Sequence, residues 1–558
     1  MYIERNPGVL LVLISITIFF IVLGSRVNYF KGDAYGSLWV SESIIDAGTI
    51  RMDRYGDLLD RFTYQVVEEN GHYYNLFPLG TPVFSIPVVA IVKLFGGNMV
   101  DDEFLTQKFI CLMVAIGLFL MLYRIGRLFL SDLAAIGISA VFWFGTSFSS
   151  VLGTALWSQN IPTLIALFAI YHAIYAYENK SNINWIYLGV LLFFVYFCRP
   201  PFSLLSPVLL LFVATYSWRR AFGAGIVLAT LLCIFFVFWY QELGKYLPDY
   251  YKPTRLTAPH FWKALAGVLV SPSRGLLVFS PFLWIPIITA NRWVSSAKAY
   301  WRYGVFVLWP VLLLLVISTF HDWYGGCSYG PRYMSDVLPG IYVTYVIFLK
   351  IYFVKPRRLT KLLLIVTAMF SVYVHVYKGM YDTKITIWNT QPDVNVEQSV
   401  LFDWEYPQFL HNSLRQEGKI EKYGLSSYPV YKLPARFNYD DYGVVWGNWK
   451  DDGRGYLRHS YGRAYIAFNL ADQPRRNGEM VISLDGVGHP RVKVALNNNF
   501  IREFTLGDMD NPLILKYSPE EMHYGAVNIL SFELPDARKF PVNTKDSLSL
   551  YLNWIEFR

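Results

Sequence analysis

Asp33 is the residue whose placement most needs a reason. It falls in Lys31-Gly32-Asp33-Ala34-Tyr35, ten residues beyond an apolar run that ends at Leu23. A carboxylate where a hydrophobic span leaves the membrane has a partner or a task. Two tasks suit it. Leu38, Ile44, Ile45 and Ile50, set among Ser, Glu and Asp, predict a short amphipathic helix along the membrane surface, which Asp33 could cap. Equally, a carboxylate can accept a proton from a reacting hydroxyl as a general base. The residues leave both open.

Three arginines stand beside glycine or proline at span ends: Arg199 in CRPP, Arg274 in SPSRGL and Arg332 in SYGPRY. The guanidinium fork suits phosphate, and glycine lets a backbone approach a ligand closely. A single such arginine would be read as reaching for lipid headgroups. Three in constrained turns make an anionic ligand an equal reading. The loop His321-Asp322-Trp323-Tyr324-Gly325-Gly326 adds titratable groups, aromatics and glycines, the ingredients of a polar pocket. His321 and Asp322 are adjacent, so they are no i,i+4 metal pair. No P-loop, GxSxG or HExxH has a supporting context, which leaves nucleotide hydrolysis and serine or zinc peptidase chemistry without a basis.

The elements that must position these groups are membrane spans. Of 558 residues, 54% are hydrophobic and only 16% charged, and mean hydropathy is positive at +0.32. The apolar runs predict a polytopic α-helical membrane domain with about eleven spans, near 9–24, 107–126, 133–150, 160–176, 184–198, 203–217, 221–240, 276–290, 301–320, 333–351 and 361–378. The first run is followed by no small-residue cleavage site and reads as a retained span. The stretch 77–96, with three prolines, suits a re-entrant or interfacial element. Charge supports that choice. With 77–96 not crossing, the cytoplasmic loops hold fourteen Lys and Arg against two, Arg199 and Arg332, in the short outer loops. The net charge of +8 is therefore an orientation signal, and no nucleic-acid partner is expected. The N-terminus falls inside, and the loop 25–105, the segment 241–275 and the C-terminal part fall outside.

From about Met380 the chain turns polar, with alternating runs at 463–470, 479–484, 491–496 and 547–557. They predict an all-β sandwich of about 120 residues. Two domains are thus expected, 1–379 in the membrane and 380–558 extracytoplasmic. Four cysteines, Cys111, Cys198, Cys233 and Cys327, have no metal-ligand spacing and read as packing residues, with a Cys198–Cys327 disulfide as a lesser alternative.

These residues resemble the GT-C superfamily of polyprenyl-phosphate-dependent membrane glycosyltransferases, including bacterial members that modify lipid A, polysaccharides or proteins. The resemblance covers residues 1–378. It rests on Gly32-Asp33 after the first span, on Asn70-Gly71-His72-Tyr73-Tyr74-Asn75-Leu76-Phe77-Pro78-Leu79-Gly80-Thr81-Pro82, on Leu156-Trp157-Ser158-Gln159, on Ser271-Pro272-Ser273-Arg274-Gly275-Leu276-Leu277, and on Trp323 to Tyr333. It implies that Asp33 deprotonates an acceptor hydroxyl while a sugar leaves its polyprenyl phosphate. Arg199, Arg274 and Arg332 would bind the donor phosphate. Lys31, Tyr35, Tyr74, His321, Asp322, Trp323 and Tyr329 are the candidate substrate contacts. Many members carry a second acidic residue after the first; here it is Ala34, so a divalent cation (Mg or Mn) is optional. Asp33, Asp46, Asp53, Asp57 and Asp322 could converge on one or stay apart. The implied partners are a polyprenyl-phosphate sugar, a glycan, lipid or protein acceptor, and membrane lipid, in a bacterial inner membrane. The alternatives are a transporter or flippase of lipid-linked saccharides, which would show mid-span charges and repeat symmetry, and a glycan-binding assembly protein.

Overall fold

A computed structural model gives the fold. It describes residues 6–62, 64–252, 256–352, 357–390, 392–395 and 397–412, then 415, 418–419, 422–423, 432–434, 445–447, 450–451, 457–459, 462–469, 478–487, 491–506, 512–518, 520–522, 527–535 and 549–557. The chain divides into two compact units, Met1–Thr383 and Lys384–Arg558.

The first unit is helical. Among the described residues, six stretches are long and apolar enough to cross a membrane: Met99–Arg127, Asn160–Glu178, Pro200–Leu243, Ser296–Ser318, Tyr333–Tyr352 and Arg358–Tyr381. Five apolar helices are shorter: Pro7–Leu23, Gly80–Leu94, Asp132–Phe144, Trp185–Cys198 and Phe261–Val270. Met99–Arg127 has both ends written in its sequence. Asn98 accepts from Asp101 N, Asp101 and Asp102 fill the first turn, and Arg124 and Arg127 the last, each sign suited to the helix dipole.

Pro200–Leu243 is not one rod. Ser217 leaves helical geometry (φ −155°, ψ 83°), and a Cβ on Gly225 would stand 3.9 Å from Leu210 Cδ1. In a straight helix those positions lie about 22 Å apart. The stretch is a helical hairpin, two arms where the sequence predicts spans 203–217 and 221–240. The expected span 276–290 is instead broken into Leu276–Phe279, Pro281–Leu283 and Trp284–Ile288. Pro281 and Pro286 each withdraw a backbone donor there.

A further expectation is corrected. The helix after Asp33 forms at Ser37–Ala47, but its first seven residues are all buried, so it does not lie on a surface with one apolar stripe. Its polar residues have inward partners: Ser41 donates to Pro82 O (2.7 Å), and Glu42 accepts from Tyr55 (2.9 Å) and Lys93 (3.2 Å). All four cysteines are free: Cys111 and Cys198 are buried, as packing residues would be, Cys233 and Cys327 are exposed, and the lesser alternative, a Cys198–Cys327 disulfide, does not form.

The second unit holds two antiparallel sheets. One runs in the order Asn499–Thr505, Arg491–Leu496, Val527–Leu534, Gly462–Asn469, Val445–Gly447. The other runs Leu513–Tyr517, Gly478–Val487, Ser549–Phe557, Leu457–His459, Lys450–Asp451, with Lys432–Pro434 also on Ser549–Phe557. Alternate residues of both sheets, among them Ile466, Val494 and Phe532 of the first and Ile482 and Leu515 of the second, make one hydrophobic core. Period-two alternation is the pattern that puts one strand face into such a core.

Candidate active site

Asp33 does not cap the helix that follows it. The cap position is Gly36, in left-handed geometry (φ 80°), with no side-chain bond of its own. The Asp33 carboxylate points elsewhere: one oxygen pairs with Arg332 Nη2, and the other accepts from the Tyr64 hydroxyl at 2.9 Å. The Asp33 side chain keeps 24% of its surface exposed, whereas that of Arg332 keeps 8%. The guanidinium of Arg332 lies over the Trp157 ring, 3.7 Å from its centroid, so cation–π attraction adds to the ion pair. Tyr29 packs on the other partner of that stack, its ring 5.8 Å from Trp157.

Arg199 is bound one layer deeper. Its Nε meets Asp336 Oδ2 at 2.8 Å and its Nη1 donates to Ser158 Oγ at 2.9 Å, both members of the ion pair being buried. Tyr333 links the two arginines, with its ring centroid 5.9 Å from Arg199 Cζ and 6.0 Å from Arg332 Cζ. Gln159 joins the same layer, donating to Arg332 O (2.9 Å) and Ser335 Oγ (3.0 Å).

Arg274 comes from a separate turn. Ser271 Oγ accepts from the backbone N–H groups of Ser273 and Arg274, and so shapes the turn. The Arg274 nitrogens donate to the carbonyls of Tyr324 (2.8 Å), Ser273 (2.9 Å) and Gly326 (3.1 Å). Gly325 and Gly326 sit at φ 77° and 65°, a region L side chains rarely enter. Those two glycines aim their carbonyls at Arg332 and Arg274 respectively, and both arginines line one tight cleft with Tyr324 and Tyr333.

Electrostatics follow from these contacts. Burial pushes the Asp33 carboxyl up, but the charge and hydrogen bond of Arg332, the Tyr64 hydroxyl and the field of Arg199 outweigh it and hold it below the ordinary range. Burial and the Asp33 charge push the Tyr64 phenol far up, so it stays a donor. Burial pulls Arg274 down to about 10, still protonated at neutral pH.

The expected site residues divide. Asp33, Arg332, Arg274 and Arg199 come together. Lys31 borders the site through its backbone carbonyl, which accepts from Gln65 Nε2 at 3.0 Å. Trp323 is buried and lines the arginine cleft. His321 and Asp322 bond each other at 2.8 Å in an exposed position. Tyr35 packs against Phe62 and Trp39, Tyr74 donates to Glu242 at 2.9 Å, and Tyr329 donates to the carbonyl of Val374 at 2.8 Å; none of the three reaches the Asp33 carboxylate. Sequence reasoning gave no role to Tyr64, Trp157, Gln159 or Asp336. Trp157 and Gln159 did stand in a quoted motif, but nothing marked Tyr64. The candidate acids stay apart: Asp46 pairs with Arg54 and Lys93, Asp53 with His72, Asp322 with His321. Among the described residues no three His, Cys, Asp or Glu gather as a metal site.

No family model matches the chain, and no curated protein matches it. Among solved structures it is similar to the arabinofuranosyltransferase AftD from Mycobacteria (mutant R1389S), with 9% identity and a TM-score of 0.35, covering 98% of this chain and 62% of that one. It is also similar to the arabinosyltransferase EmbB from Mycobacterium smegmatis, with 11% identity and a TM-score of 0.33, covering 99% and 64%. The chain thus spans just under two thirds of each. TM-scores this low carry no function across, so the reading below rests on the site itself.

Proposed function

We propose that the chain is an integral membrane glycosyltransferase of GT-C type. It takes a sugar from a polyprenyl phosphate and delivers it to a hydroxyl of a glycan, lipid or protein on the extracytoplasmic face of a bacterial inner membrane. The observation that carries this reading is the held carboxylate: Asp33, kept ionised by Arg332 and Tyr64, beside two further buried arginines.

In the reaction the acceptor oxygen attacks the anomeric carbon as the bond from that carbon to the phosphate oxygen breaks. The hydroxyl proton passes to Asp33, and the bonding electrons leave on the polyprenyl phosphate. An inverting displacement needs one carboxylate, on the face opposite the leaving group, and cations on the departing charge. Arg332 touches the base, so it serves Asp33 first, keeping it charged and aimed. Arg274 lines the cleft with Arg332 and is assigned the phosphate, while Arg199, held by Asp336 and Ser158, acts on it from behind through its field. The Tyr and Trp side chains around the cleft suit both sugar faces and the headgroup boundary. In the same reading the chain crosses the membrane eleven times with its N-terminus inside, and the second unit is an extracytoplasmic β-sandwich.

The test is a panel of polyprenyl-phosphoryl pentoses and hexoses offered to the purified protein in nanodiscs. The expected result is polyprenyl phosphate released in step with sugar transferred for at least one donor. Movement of such lipids across vesicles without release would favour the transporter instead.

A further inference from the structure

Glu103 sits inside the apolar helix Met99–Arg127 and is only 4% exposed. A carboxylate in a helix that can cross a membrane is costly unless something partners it. Its backbone partners lie just beyond Asp33. Glu103 Oε1 accepts from Gly36 N at 2.9 Å and Leu38 N at 3.3 Å, and Oε2 accepts from Gly36 N at 3.2 Å. One turn along the same helix, Gln107 Nε2 donates to Ala34 O at 3.1 Å and back to Glu103 Oε1 at 3.2 Å. From the other side, Gln65 Nε2 donates to the carbonyls of Lys31 and Gly32.

Backbone atoms on both sides of Asp33 are therefore gripped while its side chain is left to the ion pair. Helix starts leave backbone donors without partners, and a side-chain oxygen that accepts from them is favoured. Glu103 answers that need from another helix, the task Asp33 would have had as a cap. Capping alone does not explain Gln107, whose bond is to Ala34 O, ahead of the helix. Gly36 adds a constraint of its own: at φ 80° with the Phe62 ring 2.6 Å from where a Cβ would be, the turn has one shape.

We infer that Glu103 and Gln107 are positioning residues for Asp33: an i,i+4 pair on one span that clamps residues 34–38 and so sets where the carboxylate stands. The inference rests on Asp33 being the base, and two readouts separate the two ideas. The first is hydrogen exchange in residues 33–38 of the full chain. In Glu103→Met both accepting oxygens are lost at similar side-chain length, so exchange of the Gly36 and Leu38 amides should quicken at least tenfold, with protection elsewhere unchanged. Unchanged exchange there overturns the clamp, whether or not the chain proves to be a glycosyltransferase.

The second readout is transfer. Glu103→Met should lower kcat about tenfold or more with donor KM within about twofold, and should cause no further loss when added to Asp33→Asn, because it acts only through Asp33. Full kcat in a folded Glu103→Met protein, or a further multiplied loss in the Asp33→Asn background, overturns the positioning role. Should Glu103→Met fail to fold, Gln107→Met removes the bonds to Ala34 O and Glu103 Oε1 and is held to the same pattern with a smaller loss. A wild type without transfer refutes the proposed function, and the exchange result still decides the clamp.

Discussion

Asp33 and Arg332 depend on each other. A carboxyl held below its usual pKa contributes stability above the ordinary carboxylate range and loses it only as pH falls through the lower folded value. The pair should therefore persist across the neutral and mildly acidic range. Arg332→Gln removes the main opposing charge and leaves the burial, so the acid limb of the kcat/KM profile should move to higher pH. A profile that overlays the wild type would contradict the account of the pair. The Arg199–Asp336 pair is buried on both sides. Asp336→Ala strands a buried guanidinium and should cost about 3–5 kcal/mol, read as a lower unfolding midpoint in detergent. Replacing both with apolar residues should recover most of it. What sequence made legible at this scale was the set of charges at span ends. It could not show that positions 33 and 332 meet, nor that Tyr64 is the third member, because those contacts span 299 and 31 residues and no local period encodes them.

Elements explain why the helical unit is packed as it is. The helix Gly80–Leu94 starts against the end of Trp185–Cys198 so closely that a Cβ on Gly80 would lie 2.3 Å from Cys198 Cα. Backbone cannot move aside as a side chain can. Gly80→Val should cost about 1–3 kcal/mol in thermal stability, and shortening Cys198 to Ala should not restore it. A Gly80→Val protein as stable as wild type would mean that the two helices are not packed this way. The strand Arg491–Leu496 appears with the bounds its alternation predicts, and Gly462–Asn469 and Gly478–Val487 lie within a few residues of theirs. The reversal at Ser217 was legible as two spans, because Arg219 and Arg220 interrupt the apolar run. The role of Glu103 was not, since it follows Asp101 and Asp102 and reads as one more acid at a helix start. The helix Phe261–Val270, ten residues among polar flanks, was too short to stand out.

At the scale of the whole molecule, the charge bias of the loops predicts an orientation that a thiol probe can test. Cys327 is exposed in the loop that carries Arg332. In intact spheroplasts it should react with a membrane-impermeant maleimide, and labelling only after lysis would invert the arrangement. The second unit has its own two-sheet core, so residues 384–558 should fold when expressed alone and show a cooperative β-type melt. The measurement that bears most directly on the central claim is sugar transfer by Asp33→Asn, with donor binding and the melting curve followed on the same preparation. The account predicts a rate lower by about 10²–10⁴-fold with donor binding and fold intact. Transfer at the wild-type rate would contradict it, and Asp33 would then be no more than the partner that holds Arg332 in place.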